Sequence, residues 1–161
     1  FFADKFLLKP NLALSTNKNL DFYSQIDGEV QDLGHTNISY SPNFVAGNNF
    51  TYLPIRNLQL SFLSKYVSEQ YLGNTDAESS KLDSYFVNDF NVQYTIETES
   101  FFKSIVLSGL VNNIFDAKYI SNGYYYTYDV GNDDGSTTTF DGAGYYPQAG
   151  INFLVGATIT F

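Results

Sequence analysis

The last eleven residues of the chain alternate with period two. Ile151, Phe153, Val155, Ala157, Ile159 and Phe161 are apolar, and Asn152, Gly156, Thr158 and Thr160 between them are small or polar. Side chains along a strand point to opposite faces in turn, so the pattern predicts a strand with one greasy face. The same reading predicts five more strands upstream. Residues 5–20 set Phe6, Leu8, Pro10, Leu12 and Leu14 against Leu7, Lys9, Asn11, Ala13 and Ser15. Residues 38–53 keep Ile38, Tyr40, Phe44, Ala46, Phe50 and Tyr52 on one parity, interrupted by Gly47 and by Pro42, which has no N–H for a ladder. In residues 58–71, Leu58, Leu60, Phe62 and Tyr66 face away from Gln59, Ser61, Lys65 and Glu69, with Leu63 and Val67 as exceptions. Residues 85–96 oppose Phe86, Phe90, Val92, Tyr94 and Ile96 to Asp89, Asn91, Gln93 and Thr95. Residues 103–119 oppose Ile105, Leu107, Gly109 and Val111 to Ser108 and Asn112.

The connections carry more information than any one strand. Residues 21–37, 54–57, 72–84, 97–102 and 120–148 alternate long, short, long, short, long, and the long ones have loop composition. Outer-membrane barrels have short turns on the periplasmic side and longer loops outside. Each predicted strand supplies the roughly 9–11 residues that a membrane crossing needs, whereas soluble strands run to about 5–6. A soluble secreted β-sandwich with tyrosine-rich loops is the competing fold, and it would show shorter strands and more even turns. Six strands fall short of the smallest barrels, which have about eight, and an open sheet edge is not viable in lipid. The expected fold is therefore all-β, a transmembrane antiparallel β-barrel. Its remaining strands are expected on the N-terminal side, unless the count of six is low.

Composition fits a wall with one face in lipid and one in water. Aromatics are 18% of the chain, as 15 Phe and 14 Tyr, and charged residues only 16%, well under the usual quarter. Mean hydropathy is −0.18, and no apolar run is long enough for a spanning helix. The uncharged tail after Asp141 is broken by Gly142, Gly144, Pro147 and Gly150. The net charge of −9, with basic residues scattered singly, argues against nucleic acid as a partner. There is no cysteine and one histidine, His35, so thiolate and histidine-rich metal sites are excluded and no metal or cofactor is expected. The chain opens Phe1-Phe2-Ala3-Asp4 without a methionine or a leader, which suggests a piece of a longer chain.

Candidate chemistry concentrates in residues 120–148, read as a loop. Tyr124, Tyr125, Tyr126, Tyr128, Tyr145 and Tyr146 offer large rigid faces with polar tips, suited to contacting a siderophore, a sugar or a partner protein over a barrel mouth. The plainer reading makes them interfacial and loop-packing aromatics. Asp129, Asn132, Asp133, Asp134, Gly135 and Asp141 lie in the same stretch, but their spacing does not match a calcium loop, and a solvated acidic tip is favoured over a cation site. No nucleophile elbow or phosphate-binding glycine motif is present. Glu97 and Glu99 sit in a short turn rather than a cleft, so the chain is not expected to be an enzyme. Lys9, Asn11, Asp89, Asn91, Gln93 and Asn112 are expected to line a polar lumen.

Two stretches resemble a known family. Asn112-Asn113-Ile114-Phe115-Asp116-Ala117-Lys118-Tyr119 is similar to the Asn-Leu-Phe-Asp-x-x-Tyr box on the penultimate strand of TonB-dependent outer-membrane receptors. Tyr145-Tyr146-Pro147-Gln148-Ala149-Gly150-Ile151-Asn152-Phe153 resembles the Tyr-x-Pro-x-x-Gly-Arg-x-Phe box that opens their last strand, with Ile151 in place of the arginine. The end of the chain, with Gly156, Ile159 and Phe161, resembles the signal read by the barrel-assembly machinery, although Leu154 stands where that signal prefers a polar residue. The boxes come in the family's order and cover the C-terminal part of the chain. The resemblance implies a barrel of about 22 strands, the size class that is plugged, with residues 1–161 as its C-terminal part and the plug domain elsewhere. It implies active uptake of a scarce nutrient, an iron–siderophore complex by the family's usual role, in the cell outer membrane. The implied partners are outer-membrane lipid, the barrel's own plug, TonB, the barrel-assembly machinery and a surface lipoprotein. A non-transporting outer-membrane barrel, structural, adhesive or a subunit of a larger complex, is the alternative.

Overall fold

The structure is a computed structural model that describes residues 4–98 and 101–161. Its elements in chain order are β1 (Phe6–Leu14), β2 (Lys18–Asn19), β3 (Tyr23–Ile26), β4 (Glu29–Asp32), β5 (Thr36–Asn37), β6 (Phe44–Ile55), β7 (Leu58–Val67) and β8 (Gln70–Tyr71). After a 3-10 turn at Glu78–Ser80 come β9 (Lys81–Leu82), β10 (Tyr85–Glu97), β11 (Ser104–Asn112), β12 (Ile120–Gly131), β13 (Thr137–Pro147) and β14 (Asn152–Thr160). Six of these form one antiparallel meander in the order β1-β6-β7-β10-β11-β14. The eight others pair among themselves as β2 with β5, β3 with β4, β8 with β9, and β12 with β13. All four ribbons are inserted at the same end of the meander, while β6–β7 and β10–β11 are joined at the other end by short turns. The sheet is open, with β1 and β14 as its edges and no closed barrel formed.

Register shows why the alternation in the sequence matters. One row across the sheet reads Leu8, Phe50, Phe62, Phe90, Val111, Phe153. The next row, on the opposite face, reads Leu7, Thr51, Ser61, Asn91, Leu110, Leu154. A slip of one residue at any pairing would exchange these faces. The polar face is hydrogen-bonded within itself: Thr51 and Ser61 hydroxyls lie 3.1 Å apart, the Thr51 Oγ1 donates to Asn49 at 3.2 Å, and Gln59 Nε2 reaches Ser61 Oγ at 3.4 Å. Leu63 and Val67, the exceptions in the sequence pattern, lie on this face opposite Asn49 and Val45. The aromatic face carries its side chains outward. Leu12, Phe86 and Val155 are 65%, 54% and 84% exposed, so the described residues leave this face largely uncovered.

The buried apolar residues Val67, Leu72 and Leu82 sit at the end of β7, just past β8 and in β9, and Leu72 N–H donates to the carbonyl of buried Ser80 at 2.7 Å. Among the described residues the apolar core thus lies where ribbons join the wall, while the buried Thr51, Ser61 and Asn88 within the wall are polar.

Several boundaries differ from the sequence expectation. The first strand stops at Leu14 rather than continuing to 20, and the second starts at Phe44 rather than 38, because Thr36–Asn37 turns aside to pair with Lys18–Asn19. The fifth stops at Asn112, where Asn113 (φ 48°) and Asp116 (φ 51°) adopt left-handed backbone that no strand can carry. The largest correction concerns residues 120–148. They are not an irregular loop but a long hairpin, β12 paired with β13 from Ile120↔Pro147 to Gly131↔Thr137. The turn at its tip is held by Asn132, whose N–H donates to the Ser136 carbonyl at 2.8 Å, and by Gly135 at φ 86°. Residues 21–37, also read as a loop, contain the β3–β4 hairpin with Asp27-Gly28 at its turn.

Candidate ligand-contact surface at the loop end

The β12–β13 hairpin has two unlike faces. On one, Tyr124, Tyr126 and Tyr128 follow one another along β12, with ring centroids 6.1 and 6.2 Å apart and planes within 25°. Phe140 on β13 extends the row at 5.7 Å from Tyr128, and Tyr146 closes its other end at 6.0 Å from Tyr124. Opposite Tyr124 and Tyr126 in the ladder stand Gly144 and Gly142. A methyl group on Gly144 would lie 2.4 Å from the Tyr124 ring, and one on Gly142 would lie 2.8 Å from the Tyr126 ring. Each ring therefore lies across the partner strand in space that only glycine leaves. All five rings are about half exposed.

The other face is bound to neighbouring ribbons. Tyr125 packs on the Gly73 backbone, where a Cβ would lie 2.4 Å from its ring, and its hydroxyl accepts from Thr75 Oγ1 at 3.4 Å. Tyr145 donates to the Ser79 carbonyl at 2.7 Å, and Ser79 Oγ donates to Asp141. The β3–β4 turn docks through a reciprocal pair: Asp27 N–H donates to Thr139 Oγ1 at 2.7 Å, and Thr139 N–H donates to Asp27 Oδ1 at 2.8 Å. Tyr40 Oη donates to the Gly123 carbonyl at 2.9 Å. The six tyrosines predicted as one contact surface thus divide. Tyr124, Tyr126, Tyr128 and Tyr146 share the open face, and Tyr125 and Tyr145 anchor the hairpin. The sequence reading missed Phe140, which lies twelve residues from its ring partner Tyr128 and joins the row only through strand pairing.

The acidic residues of the hairpin do not converge. Asp129 accepts from Thr139 Oγ1 at 2.6 Å and from Gln25 Nε2 at 3.3 Å. Asp134 accepts from the Ser136 hydroxyl and N–H, which hold its carboxyl below the usual carboxylate range. Among the described residues no three His, Cys, Asp or Glu side chains come together as a metal site would require. His35 is exposed beside Gly34. Glu97 ends β10, and Glu99 lies outside the described residues.

The Asn113–Asp116 box joins the last two strands of the meander. Asn113 is buried. Its side chain accepts from Ala117 N–H at 2.8 Å and donates to the Ala117 and Ala149 carbonyls at 2.9 and 3.2 Å. Its own N–H donates to Asp89 Oδ1 at 2.8 Å. Asp116 Oδ1 accepts from Ile151 N–H at 2.9 Å and from Lys118 Nζ at 2.9 Å. The Lys118 ammonium, then the Ile151 amide, lower the Asp116 pKa. The two boxes singled out in the sequence are therefore one joint, since both Ala149 and Ile151 belong to the second. At the opposite end of β14, Phe161 packs on Phe101 and Phe102 at 5.6 and 5.2 Å, while Ile159 pairs with Ile105 and Gly156 with Ser108.

No protein-family model and no curated sequence matches the chain. Solved structures do. The siderophore receptor PiuA from Acinetobacter baumannii is similar over 98% of this chain, with a TM-score of 0.63 and 16% identity. The ferric-catecholate import receptor Fiu from E. coli K12 is similar over 97% of the chain in both its open form (TM-score 0.56, 16% identity) and its closed form (TM-score 0.58, 14% identity). This chain spans about a fifth of the length of those structures, 20%, 18% and 19% respectively. They are described as receptors, and their fold is the outer-membrane β-barrel. The chain accordingly has the fold of a sector of an outer-membrane β-barrel wall.

Proposed function

We propose that residues 1–161 form the C-terminal part of a plugged barrel that actively imports a scarce nutrient, an iron–siderophore complex, across the outer membrane. The plug and its contact with TonB lie outside this chain. One observation carries the reading: a six-stranded meander with all its long insertions at one end, similar over nearly its whole length to siderophore receptors. The order of the two boxes supports a C-terminal position, with β14 as the closing strand and Gly156, Ile159 and Phe161 as the signal for barrel assembly. The open row of Tyr124, Tyr126, Tyr128 and Tyr146 is the surface offered to the ligand, and Tyr125 and Tyr145 hold it in place.

The test is uptake of radiolabelled iron–siderophore by iron-starved cells that express the receptor containing this sector. Accumulation is expected to stop when TonB is deleted or the proton gradient is collapsed, while binding at the cell surface persists. Accumulation indifferent to both treatments would contradict active import. A receptor that neither binds nor accumulates iron complexes would favour a structural or adhesive barrel.

A further inference from the structure

Resting on the import reading, we infer that this sector of the mouth selects an uncharged or cationic ferric complex, of the tris-hydroxamate kind, and disfavours tris-catecholates. The charge distribution is one support. The three long connections, residues 15–43, 68–84 and 113–151, hold thirteen carboxylates against three lysines and no arginine. Each lysine already has a partner. Lys18 Nζ donates to Asn37 Oδ1 at 2.7 Å, Lys81 pairs with Glu69 at 3.1 Å, and Lys118 pairs with Asp116 at 2.9 Å. Three hydroxamates, each singly anionic, cancel the charge of iron(III). Three catecholates, each doubly anionic, leave a trianion. A trianion approaching this rim meets carboxylates of like sign, with Asp133 and Asp134 at the tip of the hairpin that carries the tyrosine row.

The tyrosine row is the second support, and it is independent of charge. Tyr124 and Tyr126 lie over Gly144 and Gly142, so their faces stay open as a paved strip rather than standing as separate posts. Such a strip takes flat, weakly polar surface by stacking, and an organic cation by attraction to the ring faces. Their hydroxyls add donors for the oxygen-rich shell of an iron complex. Nothing in the row supplies the cationic clamp that a polyanion needs.

The experiment uses the full-length receptor in detergent, with a ferric tris-hydroxamate and a ferric tris-catecholate as probes. The tris-hydroxamate is expected to bind at least about tenfold tighter, and Tyr126→Ala to weaken it by up to about tenfold. Replacing Asp133, exposed at the tip of the hairpin, by lysine while keeping Asp134, which accepts from Ser136, is expected to raise the association rate of the tris-catecholate severalfold at low salt, and by less at high salt. Tighter binding of the tris-catecholate, with an association rate unmoved by the charge change, would overturn the selection and leave the import reading intact. Binding of neither complex would overturn both.

Discussion

At the scale of the residue, Asn113 does the most with the fewest atoms. One buried amide satisfies the Ala117 N–H and two carbonyls, and one of those carbonyls belongs to the segment leading into β14. Its left-handed backbone suits asparagine better than alanine. Asn113→Ala is therefore expected to cost about 1–3 kcal/mol, the usual penalty for leaving a buried polar group unpaired, seen as a lower urea midpoint of the folded barrel. Asp116 adds a pH dependence. Its folded pKa lies below the ordinary 3.8 because the charged form is bonded to Lys118 and to Ile151 N–H. Its contribution is present above that ordinary value and is lost as pH falls through the lowered one. The difference in unfolding midpoint between wild type and Asp116→Asn should hold steady above about pH 5 and close as pH drops below 3.8. A difference that stayed constant down to pH 2 would show that the carboxylate charge is not what holds the joint.

At the scale of the element, the six wall strands were legible in the sequence and the hairpin was not, for a physical reason. The two faces of a wall strand differ sharply, as a strand between lipid and water would on the proposed reading, and period two is visible, as in Phe90, Val92, Tyr94 and Ile96 against Asp89, Asn91, Gln93 and Thr95. In the β12–β13 hairpin both faces carry tyrosine and threonine. Tyr124, Tyr125 and Tyr126 occupy alternating faces with the same side chain, and the contrast that marks a strand vanishes. The clue was instead the pair Gly142 and Gly144, read from sequence alone as breakers. Paired with Tyr126 and Tyr124, they are the space beneath the rings. Gly144→Val should lift Tyr124 from the ribbon while sparing the wall, lowering ligand affinity severalfold without moving the thermal transition of the barrel. An unchanged affinity would remove Tyr124 from the contact surface. The box around Asn113 was legible as a motif, but its role as a joint to Ala149 and Ile151 appears only in three dimensions.

At the scale of the whole molecule, the proposed reading makes the fold a consequence of facing two solvents. A sheet with Phe50, Phe62 and Phe90 along one face and Thr51, Ser61 and Asn91 along the other could not stay open in water, nor open-edged in lipid. On that reading the free edges on β1 and β14 pair with other strands of the barrel, and the ribbons at one end stand in water. Phe90→Arg should therefore cost about 2–4 kcal/mol if it lies near the midplane of the bilayer, whereas Asn91→Arg, on the lumen face, should cost much less. Refolding into lipid vesicles under a urea gradient would measure both. The face assignment can be tested more directly still, because the chain has no cysteine to interfere with labelling. Single cysteines carrying a nitroxide at Phe62, Phe90 and Val111, and at Ser61, Asn91 and Leu110, would be compared in vesicles for collision with oxygen, which concentrates in lipid, and with a water-soluble nickel complex. The first three should favour oxygen and the second three should not. Equal accessibility at both sets, or the reverse order, would contradict a membrane-spanning wall.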